Sequence, residues 1–236
     1  MKKFYHLVAV NHHQDGYVVL LDGKILKTKS GRELLCPNSE LAHAIMAEWI
    51  AQKDEIKPDT MPLTQIMVTL LDKIQEEREV IHVEMMNYLD TDLVCYRADG
   101  PPAYVAAQKA AWDPVLQWFE TSFGTKLQTT TAIAALAQSE IAHQSVETYV
   151  RNLSDEEFVI LQIVTAETGS LILALAFLEK AITPDDTFRA AQVEELLKSE
   201  IHHEDFYGKA PDVEKKQKLQ LLGLEAARVF LDTLSP

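Results

Sequence analysis

The sequence predicts an α+β protein, with a small β-rich N-terminal domain followed by a larger all-helical C-terminal domain. Three observations carry this. An Asp22-Gly23 pair joins two β-rich runs near the start. Beyond Pro37 the spacing of apolar residues changes from two to about 3.6. From there to the C-terminus, capped amphipathic segments follow one another. Strands first and helices later is the pattern of an α+β arrangement or of two domains. The expected domains are residues 1–60, strands plus one helix, and residues 61–236, helical.

The run Tyr17 to Leu21 reads as a strand, and Lys24 to Thr28 as its return. Asp-Gly between such runs signals a type I′ turn, which needs positive φ at both central residues. Val18 and Leu20 point to one face and Val19 and Leu21 to the other, so both faces are expected to be covered. Ser30-Gly31 marks a second turn before a strand at Leu34 to Cys36. His12-His13 reads as loop.

Asn38 and Ser39 are candidate caps for a helix with Leu41, Ala44, Ile45, Glu48 and Trp49 on one face. A second helix begins at Pro62, a favoured first-turn residue. Its stripe is Leu63, Ile66, Met67, Leu70, Leu71 and Ile74, and it runs on towards Met85 and Leu89. Gly100-Pro101-Pro102 breaks the chain. The next helix spans Tyr104 to Phe123, with a kink or restart at Pro114 capped by Asp113. Gly124 closes it, and Lys126 to Thr131 is a candidate short strand. Further helices are expected from Ser139 to Arg151, Ser154 to Lys180, Pro184 to Ile201 and Pro211 to Leu234. Ser154 and Glu157 have capping-box spacing, and Thr183 caps the helix opened by Pro184. Trp112 and Trp118 are expected in the core.

Composition narrows the function. The chain has 236 residues, 36 acidic against 22 basic, for a net charge of −14. Nucleic-acid binding needs clustered Lys and Arg, so that class is disfavoured. The two cysteines, Cys36 and Cys95, lie among apolar neighbours and read as buried free thiols in a reducing compartment. The start MKKFYHLVAV lacks the apolar core and cleavage site of a signal peptide. Phe158 to Leu178 is strongly apolar, but Gln162, Glu167 and Gly169-Ser170 interrupt it, so no membrane span is expected.

Catalytic patterns are missing. There is no Gly-rich phosphate loop and no Gly-x-Ser-x-Gly elbow. His202-His203-Glu204-Asp205 lacks the i, i+4 histidine spacing of a zinc helix, and adjacent helical histidines diverge by about 100°. The carboxylate runs Glu76-Glu77, Asp155-Glu156-Glu157 and Glu194-Glu195 suit first turns or exposed faces. Cys95 has no adjacent base. Glu167, inside an apolar helix, either pairs with a cation such as Arg97 or reaches solvent.

Several segments, in order, carry a resemblance. They are Asp22-Gly23-Lys24 with Leu26-Lys27-Thr28, Ala47-Glu48-Trp49, and Met61-Pro62-Leu63-Thr64 with Asp72. Thr91-Asp92-Leu93-Val94-Cys95-Tyr96-Arg97-Ala98 follows, then Trp112-Asp113-Pro114 and Gly169-Ser170-Leu171 leading to Leu173-Ala174-Leu175-Ala176. The set resembles the assembly chaperones of the ATP synthase F(1) alpha subunit. The resemblance implies a binding protein with no cofactor, no metal and no turnover. Its implied partner is the free alpha subunit, its expected state a monomer, and its compartment the bacterial cytoplasm, or the mitochondrial matrix if a presequence has been removed. It places Glu200, His203 and Tyr207-Gly208 on the family's C-terminal pattern, with Tyr in place of Trp and His in place of Gln. Glu200 is matched to the family's functional acid, with Glu195 and Glu204 as the other placements. The implied partner-binding residues are therefore Glu195, Glu200, Glu204 and Tyr207. Two other functions are kept as alternatives: a helical scaffold or regulator for another client, and a metal-dependent hydrolase using the His202–Glu204 region.

Overall fold

The computed structural model describes residues 1–134, 136–201 and 211–234. The chain divides into two compact units, Met1–Arg78 with Glu225–Pro236, and Glu79–Leu224. Residue 60 falls inside the first unit, just before the helix that begins at Pro62.

The first unit holds a small antiparallel sheet of β1 (Val8–His13), β2 (Gly16–Leu21), β3 (Lys24–Ile25) and β4 (Leu35–Cys36). Strand β2 pairs with all three others. Its Val18, Val19 and Leu21 are all buried, so both faces are covered as expected. Asp22 (φ 49°) and Gly23 (φ 80°) have the two positive dihedrals of the predicted turn. The Asp22 carboxylate also accepts the backbone N–H groups of His6 at 3.0 Å and Leu7 at 2.8 Å. Those bonds, with Leu7 first, hold its pKa below the usual carboxylate value. His12 and His13 are not in a loop. They end β1, opposite Tyr17 and Gly16, and the His12 and Tyr17 rings meet edge-on. The cross-strand partner, invisible from local sequence, extends the strand to them. Gly16 faces the β4 backbone so closely that an added Cβ would lie 2.4 Å from the Cys36 carbonyl oxygen.

Helix α1 (Ser39–Ala51) starts where Asn38 accepts the Leu41 N–H at 2.9 Å, and buries Leu41, Ala42, Ile45 and Trp49. Helix α2 (Pro62–Thr69) has no capping side chain of its own, since Met61 precedes Pro62. Glu48 of α1 supplies the cap. Its carboxylate accepts from Leu63 N at 2.7 Å, Thr64 N at 2.9 Å and the Thr64 hydroxyl at 2.7 Å. Burial nonetheless raises the Glu48 pKa. After α2 the helix passes through a π-turn, Leu70–Ile74, into α3 (Gln75–Asn87). The wider turn buries Leu70 and Ile74 and leaves Leu71 half-buried. It also presents Asp72 to the Thr28 hydroxyl at 2.8 Å, and Arg32 donates to the Leu71 carbonyl and the Glu76 carboxylate.

The second unit contains α4 (Pro102–Phe123), α5 (Glu140–Arg151), α6 (Asp155–Thr168), α7 (Leu171–Leu178), α8 (Pro184–Ala191) and α9 (Val193–Ile201). Helix α10 (Pro211–Leu234) contributes its residues up to Leu224 to this unit, and the rest to the first. The capping boxes at Ser154 and Thr183 form as expected. Four expectations are corrected. Helix α4 runs through Pro114 without a restart, because buried Trp112, Val115 and Phe119 anchor it on both sides of the lost backbone bond. Lys126 to Thr131 is not a strand; Thr130 makes one parallel bridge with Tyr96. The helix expected from Ser154 to Lys180 is two helices, parted at Gly169 (φ 71°). The one from Pro184 to Ile201 is parted at Gln192. Trp112 is in the core, with its Nε1 donating to the Ala190 carbonyl at 2.8 Å, whereas Trp118 is half-buried. Glu167 is exposed, and Arg97 pairs with Asp113 at 2.8 Å instead.

The buried acid of this unit is Asp92, wholly inaccessible to solvent. One carboxylate oxygen accepts the Ser170 hydroxyl at 2.6 Å and Val94 N at 3.2 Å; the other accepts Ile172 N at 3.0 Å. Ser170 in turn accepts Leu173 N at 2.9 Å. Every residue of α7 is buried, so water cannot reach its first N–H groups. Asp92 and Ser170 satisfy them. Burial outweighs these hydrogen bonds and lifts the Asp92 pKa from 3.8 to about 6.

Replacing Asp92 by Asn turns an acceptor oxygen into a donor facing N–H groups and is expected to destabilise the chain by about 2 kcal/mol. The folded state binds the Asp92 proton more tightly than the unfolded chain, so this group's stabilisation is largest below pH 3.8 and falls as pH rises to about 6. Urea denaturation of the two proteins at pH 4 and pH 7 should therefore show the smaller gap at pH 7; a larger gap there would refute the raised pKa. Gly16→Ala should lower stability by roughly 1–3 kcal/mol through overlap with the β4 backbone. A thermal midpoint equal to that of the wild type would contradict this close approach.

Candidate functional site

A groove of about 810 Å³ lies between α4, α8 and α9 of the second unit. Ala107, Ala110, Ala111 and Pro114 line it from α4. Phe188 lines it from α8, and Val193, Leu196 and Leu197 from α9. The alanines recur at helical spacings of three and four, so one face of α4 is flat and lets another chain approach its backbone. The leucines and Phe188 are only half-buried, which leaves an apolar wall facing solvent.

The edge of this groove is acidic. Asp185, Asp186 and Arg189 line it, and Glu194 and Glu195 stand exposed in the first turn of α9. Arg189 pairs with Asp185 at 2.7 Å and Lys198 with Glu195 at 2.6 Å. Asp186 is occupied in the Thr183 capping box, whose hydroxyl bond lowers its pKa. Glu194 accepts from the Gln108 carboxamide at 2.7 Å. Gln108 is buried, and its side-chain oxygen takes Ala98 N at 2.8 Å, so it ties α9 to α4 and to the segment before it. Counting these six side chains, four acids stand against two bases.

Of the residues expected to bind a partner, Glu195 is exposed beside the groove and ion-paired to Lys198. The Glu200 backbone lies in the last turn of α9. Glu204 and Tyr207 lie outside the described residues, as does the His202–Glu204 region of the hydrolase alternative. Sequence reading missed the α4 alanine face and its apolar wall. The Ala106-Ala107 and Ala110-Ala111 pairs were the available signal, but small residues are equally common in helix cores.

Among the described residues no group of three or more His, Cys, Asp and Glu is placed to hold a metal ion. Cys36 and Cys95 are buried, and burial pushes both thiols up to about 12, so they keep their protons at neutral pH. Among the described residues no helix is long and apolar enough to cross a membrane.

A family model described as the ATP12 chaperone protein matches residues 2–120. The crystal structure of Atp12 from Paracoccus denitrificans is similar with a TM-score of 0.83 and 27% identity, covering 98% of this chain and 97% of that one. An aspartate-to-lysine variant of the same Paracoccus protein matches equally well, with a TM-score of 0.83. A protein of Agrobacterium tumefaciens described as a candidate chaperone is similar with a TM-score of 0.88 and 29% identity, covering 99% of this chain and 86% of that one.

Gln108→Leu removes the tie between α4 and α9 and leaves the Ala98 N–H without its side-chain partner. It is expected to cost about 1–3 kcal/mol and to speed amide hydrogen exchange in α9 more than in α5. Uniform exchange across both helices would show that Gln108 does not hold α9.

Proposed function

The chain belongs to the ATP12 chaperone family, and from that membership we propose that it assists assembly of the F(1) sector of ATP synthase. In this reading it binds the free alpha subunit, covers its beta-facing surface until the ring closes, and then lets go. It works as a monomer, without a cofactor and without turnover, in the bacterial cytoplasm or in the mitochondrial matrix. The observation that carries the reading is the apolar groove of α4, α8 and α9 beside an acidic helix. An unassembled subunit exposes an apolar, self-adhesive surface, which is an aggregation hazard. A chaperone that covers such a surface lowers the concentration of the sticky species by mass action.

Glu195, Glu200, Glu204 and Tyr207 are the proposed partner-binding residues. Between Glu194 and Asp205 the sequence has five acids and one lysine. That charge steers a basic partner patch towards this stretch of the chain and speeds encounter more than it deepens affinity.

Co-expression with the alpha subunit alone is the test. Soluble alpha is expected only when this chain is present; equally insoluble alpha with and without it would defeat the proposal. Ala110→Trp, which fills the groove floor from an exposed position, should lose the complex while keeping the helical circular dichroism of the wild type. Reversing Glu194, Glu195, Glu200, Glu204 and Asp205 together should slow association at low salt and matter less at high salt. Unchanged association at both would remove the steering role.

A further inference from the structure

A second pocket lies on another face of α4 and carries the opposite sign of charge. Arg97, Lys109, Lys126 and Asp113 line a cavity of about 340 Å³. Three cations against one carboxylate leave it with a formal charge of +2, in a chain whose net charge is −14. Arg97 is firmly held. One of its N–H groups reaches the Gln108 carbonyl at 3.2 Å and another reaches Asp113 at 2.8 Å. Its guanidinium sits 5.2 Å from the Trp112 ring centroid. A guanidinium has more N–H groups than these two bonds use. Lys109 and Lys126 are exposed, and among the described residues neither has an ion-pair partner. Val105, Leu116 and Leu127 add an apolar wall, and Gln108 and Thr129 add polar groups.

We infer that this pocket binds a doubly charged oxyanion with a short apolar body, of the phosphate monoester class. The charge argues for a dianion, because Asp113 neutralises Arg97 and leaves the two lysines unmatched. The donors suit phosphate oxygens: a fixed guanidinium supplies directed N–H groups, and two flexible ammonium groups supply point charges. The volume sits at the low end of small-ligand pockets, which span roughly 300–1,000 Å³, so the ligand is small. Val105, Leu116 and Leu127 give its body an apolar seat. The site does not depend on the groove or on the identity of the client.

The test is an NMR titration of the full chain with phenyl phosphate and, separately, inorganic phosphate, at ionic strength matched with sodium chloride. Phenyl phosphate should shift the amides of Ala98, Lys109 and Lys126 and bind more tightly than inorganic phosphate. The Lys109→Ala, Lys126→Ala double variant changes only exposed side chains, so its fold should persist. It should bind phenyl phosphate at least about tenfold more weakly, and the corresponding double Arg variant should retain binding. Equal affinity for both phosphates would overturn the apolar seat. Shifts no larger than those from chloride, or undiminished affinity in the Ala variant, would overturn the site itself.

Discussion

A carboxylate sealed from water governs the second unit. Helix α7 is apolar on every side, which is what a central helix must be, but its first turn then presents N–H groups that no solvent can reach. Asp92 and Ser170 answer that need from inside the core. The arrangement is costly, since the charge itself is desolvated and the pKa rises to about 6. Its return is placement. Asp92 sits in a turn between α3 and α4, so bonding it to the start of α7 fixes where the central helix lies relative to the segment that leads into α4. Residues Leu93–Cys95, Arg97 and Ala98 follow from that anchor, and with them the floor of the basic pocket.

The same logic recurs in the first unit with less burial. Glu48 caps α2 from α1, Asp22 holds the chain before β1 at the hairpin turn, and Asp72 of the π-turn takes the Thr28 hydroxyl. These are carboxylates spent on backbone donors or hydroxyls far away in sequence. They also belong to the segments that carried the family resemblance. Those motifs are therefore largely a record of how the fold is tied together. The apolar groove is built from other residues, the α4 alanines and the half-buried apolar side chains of α8 and α9.

That division explains what could be read from the sequence. The hairpin at Asp22-Gly23, the caps at Asn38, Ser154 and Thr183, and the long helices are local facts, set by dihedral preference and by side chains three or four residues apart. The break at Gly169 was visible only as an interruption, because its meaning depends on Asp92, nearly eighty positions earlier. Pro114 shows the opposite: it does not restart the helix, because buried Trp112, Val115 and Phe119 hold it on both sides. For Glu167 the sequence left pairing and solvent exposure open; a helix turns about 100° per residue, so one position can emerge from an otherwise buried stretch, and Glu167 does. The groove was the least legible feature. Alanine at helical spacing describes a core-facing stripe and a docking face equally well, and only the structure shows that Ala110 is exposed.

The proposed function needs a partner that is bound and then released, and the electrostatics of the groove suit that. Its cations are already matched to acids on the same helices, Arg189 to Asp185 and Lys198 to Glu195. These are exposed pairs of adjacent turns, which contribute little to stability. A basic partner can therefore exchange them for its own contacts at small cost, and the native pairs can re-form when it leaves. Had the acids been buried and unpaired, the protein would have needed its partner to be stable, and release would have been slow. Loosely paired acids beside an apolar wall give rapid encounter with modest hold, the balance that transient shielding of an adhesive surface requires.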